Sequence, residues 1–142
     1  MMKAKDLVLR VVNEIEEGKF EIKSFKPYMA YESFIGCILW DAEILRPSGM
    51  TDSEYNEIIE GDIVEVTVGN ITLLAEITFE IGSFMITMNE DNLEKIFPNN
   101  WNDNVKSLSE LYWEQEFMED NCIYCLKIVG NKYKNRELLN QL

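Results

Sequence analysis

Residues 62–88, DIVEVTVGNITLLAEITFEIGSFMITM, decide the fold. Apolar and polar side chains alternate through this stretch. Two dipeptides, Gly69-Asn70 and Ile81-Gly82, interrupt the alternation where a chain can reverse. With Gly69-Asn70 as a two-residue hairpin loop, glycine in the first central position, Val68 faces Ile71, Val66 faces Leu73 and Val64 faces Ala75. With Ile81-Gly82 as a second such loop, Phe79 faces Phe84, Ile77 faces Ile86 and Ala75 faces Met88. Strand side chains have a period of two, so both loops put Ile71, Leu73, Ala75, Ile77 and Phe79 on one face. The other face carries Glu65, Thr67, Thr72, Glu76, Thr78 and Glu80. A slip of one residue would bury the acids, which specifies the register. The chain reads as mainly β, built around this meander.

Outward from the meander the signals shorten. Asp6 is placed to cap a helix over residues 5–17, in which Val8, Val11, Val12 and Ile15 follow the i, i+3, i+4, i+7 spacing and Gly18 ends the run. Phe20, Ile22 and Phe25 alternate with polar residues as a strand up to Lys26-Pro27. Tyr31 to Leu45 is dense in apolar residues and predicts one or two buried strands, broken by Arg46-Pro47-Ser48-Gly49. Beyond Asn89, Leu93, Ile96 and Phe97 predict a short helix stopped by Pro98, and Leu108, Leu111, Tyr112 and Trp113 a second. Ile123 to Val129 predicts a last strand, and Asn135 is placed to cap a terminal helical turn through Leu142. The expected organisation is an appendage of helix plus strand at residues 1–36 and a β domain at 37–142.

Two stretches bracket that domain. Glu60-Gly61-Asp62-Ile63-Val64-Glu65-Val66 opens the meander; Ile128-Val129-Gly130-Asn131-Lys132-Tyr133 and Asn135-Arg136-Glu137-Leu138-Leu139 close the chain. Together with Ser48-Gly49-Met50-Thr51-Asp52, over about residues 44–89 and 123–139, they resemble the YopX-like proteins of bacteriophages and prophages. The resemblance implies a small SH3-like β-barrel and life inside an infected bacterium; it implies no shared activity. The N-terminal Arg-x-Trp element of that family is missing, with Trp40-Asp41 as a displaced remnant, and Arg136 stands where a proline is common. Apart from any family, Gly61 allows a tight entry into the strand and Asp62 turns the chain through its side chain. Gly130-Asn131 suits a bulge or bend at a strand end.

The net charge of −13 is unevenly spread. Residues 1–40 carry six basic and six acidic side chains. Residues 41–122 carry nineteen acids against Arg46, Lys95 and Lys106, a local charge of −16; residues 123–142 carry four basic groups against Glu137. So acidic a region is repelled by nucleic-acid backbones and anionic lipid, so the expected partner is a protein with a basic surface. The competing reading is plain solubility. No apolar run approaches the ~20 residues that span a bilayer, and the N-terminus is too charged for a signal peptide. Cys37, Cys122 and Cys125, an odd count, fit free thiols in a reducing compartment, so the expected location is cytoplasmic.

There is no histidine, which excludes Ser-His and Cys-His nucleophilic mechanisms and histidine metal sites. Cys122-Ile123-Tyr124-Cys125 has C-x-x-C spacing, but a structural zinc needs four ligands, and a strand would send the two thiols to opposite faces. Glu57, Glu60, Asp62, Glu90 and Asp91 form near pairs that so acidic a chain produces by chance. No calcium loop and no glycine-rich phosphate loop is present. No catalytic residue, cofactor or metal is expected. Two features suit a partner surface: Trp101 with Asp103 in a polar loop, and Tyr112-Trp113-Glu114-Gln115-Glu116-Phe117-Met118-Glu119-Asp120, which mixes aromatics with acids. Trp101 reads equally as a plug over a barrel mouth, and the second run as an amphipathic edge with solvated acids. The expectation is a non-catalytic protein that binds and masks a basic, nucleic-acid-handling protein, in the manner of an anti-restriction or anti-CRISPR inhibitor. The alternatives are an oligomeric sponge for a small molecule or nucleotide, and a purely structural phage protein.

Overall fold

A computed structural model of the chain describes residues 9–25, 43–100 and 104–142. The chain divides into two compact units, 1–47 and 48–142. The expected boundary at 36/37, most of the apolar run from Tyr31, Cys37, Trp40, Trp101 and Asp103 lie outside the described residues.

In the first unit, β1 (Leu9–Glu16) pairs antiparallel with β2 (Lys19–Phe25) on one edge and β3 (Glu43–Leu45) on the other. The helix expected over residues 5–17 is therefore wrong for residues 9–16, which form the central strand of a small sheet. Two causes act together. Valine and isoleucine lose rotamer freedom in a helix and pack well on a pleated surface. Gly18, at φ +79°, also makes the Glu17-Gly18 reversal rather than a helix end, bringing β2 back alongside. Val11 and Val12 are adjacent, point to opposite faces, and are both buried. A bulge at Ile15, between the Glu14–Phe20 and Glu16–Lys19 pairs, leaves that side chain exposed. The strand expected from Phe20 to Phe25 is present as β2.

In the second unit, β4 (Pro47–Thr51) pairs with β5 (Glu57–Ile59). The meander comes next as β6 (Asp62–Val68), β7 (Ile71–Glu80) and β8 (Ser83–Thr87), in the expected register: Val68–Ile71, Val66–Leu73, Val64–Ala75, Phe79–Phe84 and Ile77–Ile86. Gly69, at φ +60°, supplies the positive φ of the first loop. On the outer face, Thr67 and Thr72 share a hydroxyl bond of 2.9 Å, and Thr78 and Thr87 one of 2.8 Å. Ile63, Leu74 and Met85 are apolar residues on that face, and Ile63 is buried. Val68 and Ile71 run past the covered part of the inner face and stay exposed.

The elements that cover the inner face are short. Helix α1 (Glu90–Ile96) is capped by Asn89, whose side chain accepts from the Asn92 amide, and ends before Pro98. Strand β9 (Val105–Ser107) pairs with β8, and Ser107 then caps helix α2 (Leu108–Glu114). Leu93 and Ile96 of α1, Leu108 and Leu111 of α2, and Ile58 of β5 pack on Val64, Val66, Ala75, Ile77 and Ile86. The last strand, β10 (Leu126–Asn131), starts later than its expected position, because Ile123–Cys125 is a turn closed from the Leu126 amide to the Ile123 carbonyl.

The sheet order is β10-β6-β7-β8-β9, and it does not close into the expected barrel. One edge, β9, stops after three residues where α2 begins. At the other, the segment around Asp52 holds β10: the Ser53 amide donates to the Leu126 carbonyl and the Ile128 amide to Asp52 Oδ2 at 2.9 Å. Asp52 is fully buried, and its Oδ1 also accepts from the amides of Glu54 and Asn56.

The two bracketing stretches meet. Asp62 Oδ2 accepts from the Ile59 amide at 2.8 Å and closes the turn at Gly61, whose φ is +91°. The Lys132 amide donates to the Gly61 carbonyl, and a Cβ on Gly61 would lie 3.3 Å from the Tyr133 ring. The bulge at Gly130 is present. A Cβ there would lie 2.6 Å from Asn135 Oδ1, which is committed to the Asn131 amide rather than to capping the terminal 3₁₀ helix Arg136–Gln141.

Replacing Asp52 by alanine leaves three partly buried amides, those of Glu54, Asn56 and Ile128, without their acceptor. The expected loss is roughly 3 kcal/mol or more of unfolding free energy, read as a lower urea midpoint; an unchanged midpoint would show that the carboxylate is not the latch.

Candidate protein-interaction surface

Helix α2 and the loop after it carry most of the expected partner residues. Leu108 and Leu111 face the core, so Trp113 and Glu114 turn outward. Tyr112 is half-buried against the core and supports Trp113 edge-on, with ring centroids 5.4 Å apart. The chain then leaves the helix, and one side chain shapes the loop. Gln115 donates from Nε2 to the Cys122 carbonyl at 2.7 Å and accepts at Oε1 from the Tyr124 amide at 3.1 Å. The Cys122 amide donates to the Glu119 carbonyl, and the Thr51 amide to that of Asn121. Asp120 and Asn121 are both left-handed, at φ 51° and 57°. Their short polar side chains tolerate that backbone better than most.

The end of α2 and this fixed loop leave large apolar groups in solvent: Trp113 is 70% exposed, Phe117 63% and Met118 46%. Glu116, Glu119 and Asp120 are exposed among them. Tyr124 is exposed beside the loop, and its phenol is held above the ordinary tyrosine value, first by desolvation and then by Cys122, Glu119, Tyr55 and Asp120. Tyr55, exposed and left-handed at φ 64°, thus lies within electrostatic reach of Tyr124. Sequence reasoning missed both tyrosines. Tyr55 had a signal, as the lone aromatic of a polar stretch, whereas Tyr124 was assigned to a strand.

Glu114 is only partly available to a partner. It pairs at 2.8 Å with Lys106, whose side chain is buried, and Glu110 approaches the same ammonium at 3.5 Å. Lys106 stands opposite Ile86, on the apolar row of the sheet, and its ammonium lies 5.1 Å from the centre of the Phe97 ring. A cleft of about 380 Å³ opens there, between Phe97, Pro98, Asn100 and Glu114. The carboxylates already answer its cation, so the cleft offers an anionic ligand little.

Among the described residues no three His, Cys, Asp or Glu side chains are grouped to hold a metal, and no helix is long and apolar enough to cross a membrane. Cys122 and Cys125 are free; Cys122 forms an isolated parallel bridge with Thr51, and Cys125 sits on a turn rather than on the expected strand. Cys122 is buried, with Sγ directed to the Asp52 carbonyl at 3.2 Å. Burial pushes the Cys125 thiol up to about 11, so at neutral pH it is a thiol and not a nucleophilic thiolate.

Gln115→Ala removes both amide bonds across the loop, and amide exchange at Tyr124 should accelerate by at least about tenfold while exchange in β6 and β7 is unchanged. At pH 8, alkylation of Cys125 in the folded protein, located by peptide mass mapping, should be on the order of a hundredfold slower than that of an unstructured cysteine; equal rates would refute its burial as a neutral thiol. No protein-family model and no curated protein matches this chain.

Proposed function

We propose that this chain is a non-catalytic binding protein that masks a basic surface on a nucleic-acid-handling protein. The observation that carries the reading is the end of α2 with the Gln115-fixed loop after it, where Trp113, Phe117 and Met118 stand in solvent among Glu116, Glu119 and Asp120. Large apolar side chains left exposed together mark a contact surface, and tryptophan is enriched at the energetic centres of such contacts. The carboxylates stand in for phosphates: they steer a basic partner in and reject nucleic acid. The resemblance of the two bracketing stretches to YopX-like proteins supports a phage or prophage setting, with the open sheet as a variant of the SH3-like barrel. In this reading the protein works in the cytoplasm of the infected host, as an anti-restriction or anti-CRISPR inhibitor does.

Binding to a panel of restriction and CRISPR effector proteins, measured over a salt series, tests the proposal. A bound effector should be released progressively as salt screens the surface charges. Trp113→Ala and Phe117→Ala should each weaken binding by about tenfold or more. Neutralising Glu116, Glu119 and Asp120 should mainly slow association at low salt. Absence of binding across the panel, or binding indifferent to salt and to these substitutions, would sink the reading.

A further inference from the structure

We propose that the tip of the β7–β8 hairpin and the pocket beside it form a self-complementary contact between two copies of this chain. The contact is separate from the acidic aromatic loop and does not depend on it. Ile81 and Gly82 make the turn with φ +50° and +75°. Two consecutive left-handed residues suit asparagine and glycine, whereas a β-branched side chain is unfavourable at the first. Ile81 is 100% exposed, so packing within the chain does nothing to offset that strain. A strained, wholly exposed isoleucine on a stiff two-stranded arm is built as a knob.

The receiving hole lies next to it. Gly82 forms part of the wall of a pocket of about 190 Å³, with Met50, Phe84 and Leu108 as its apolar lining and Ser83 and Ser109 among its hydroxyls. Phe79 backs Phe84, with ring centroids 4.8 Å apart. Among the described residues, no charged side chain lines this pocket. In a chain of net charge −13 that fact selects the occupant. A basic partner finds nothing to pair with in the pocket, while a second copy, repelled by the acidic surfaces elsewhere, meets no carboxylate among its described lining residues. A knob adjacent to its own hole closes around a two-fold axis, each Ile81 entering the other copy's pocket, so the contact ends at a dimer.

Sedimentation equilibrium on the full chain tests this. The wild type should dimerise. Ile81→Asn, and independently Ile81→Gly, should raise the dimer Kd by roughly a hundredfold, about tenfold for each of the two buried isoleucines, with an unfolding temperature no lower than that of dilute wild type. Ser109→Tyr, which fills the pocket and leaves the hairpin intact, should lose the dimer equally; Ser83→Tyr fills the same pocket if that variant fails to fold. An equimolar mixture of Ile81→Asn with the filled-pocket variant keeps one knob and one hole, and native mass spectrometry should show heterodimers in excess of either homodimer. A wild type monomeric up to ~1 mM, an Ile81→Asn dimer as tight as wild type, or a mixture with no excess of heterodimer would each overturn the proposal.

Discussion

The buried carboxylate of Asp52 is the constraint on which the second unit depends. A charge inside a protein is tolerated only where hydrogen bonds replace its water, and here backbone amides of Glu54, Asn56 and Ile128 do so. Two of those donors belong to the turn after β4 and the third to β10, so one side chain joins stretches far apart in sequence. The neighbouring backbone extends the join, through Ser53 to Leu126 and through the parallel bridge of Thr51 with Cys122. Moving Asp52 would release β10, the β4–β5 arm and the end of the acidic aromatic loop together.

That latch also explains why the sheet stays open. An edge strand with unpaired amides invites another strand, and closing a barrel is one way to remove it. On β10 the Asp52 turn already occupies part of that edge. On β9 only three residues are extended before Ser107 starts a helix. The inner face is therefore finished by α1, α2 and β5 rather than by closure, and α2 is thereby brought to the surface where its outward residues meet solvent.

Stability and recognition use different parts of this unit. The meander buries an apolar row with matched register and pairs its outer threonines, so its contribution to contacts outside the chain is confined to the tip of the β7–β8 hairpin. The exposed aromatics sit at the end of α2 and on the loop after it, a loop held by Gln115 and two left-handed residues. Fixing a binding loop before contact reduces the ordering cost of association. The acid count overstates what is free, since Glu110 and Glu114 are turned to Lys106 and Asp52 is inside.

The sequence by itself determined the register of β6, β7 and β8, because two-residue loops and a period of two are local and leave no freedom once acids must face water. It likewise marked Trp113 and Phe117, since large apolar groups in an acidic run lack enough partners nearby to be buried. It could not decide residues 9–16, where the spacing of Val11, Val12 and Ile15 fits a helix as well as a strand. Pairing with Ile22 across the hairpin and with Ile44, far along the chain, made the choice. Nor could it show that Asp52 and Lys106 are interior, that Tyr124 lies on a turn, or that the sheet stays open. Burial of a charge depends on donors and acceptors that come from elsewhere in the chain, and only the tertiary structure brings them within bonding distance.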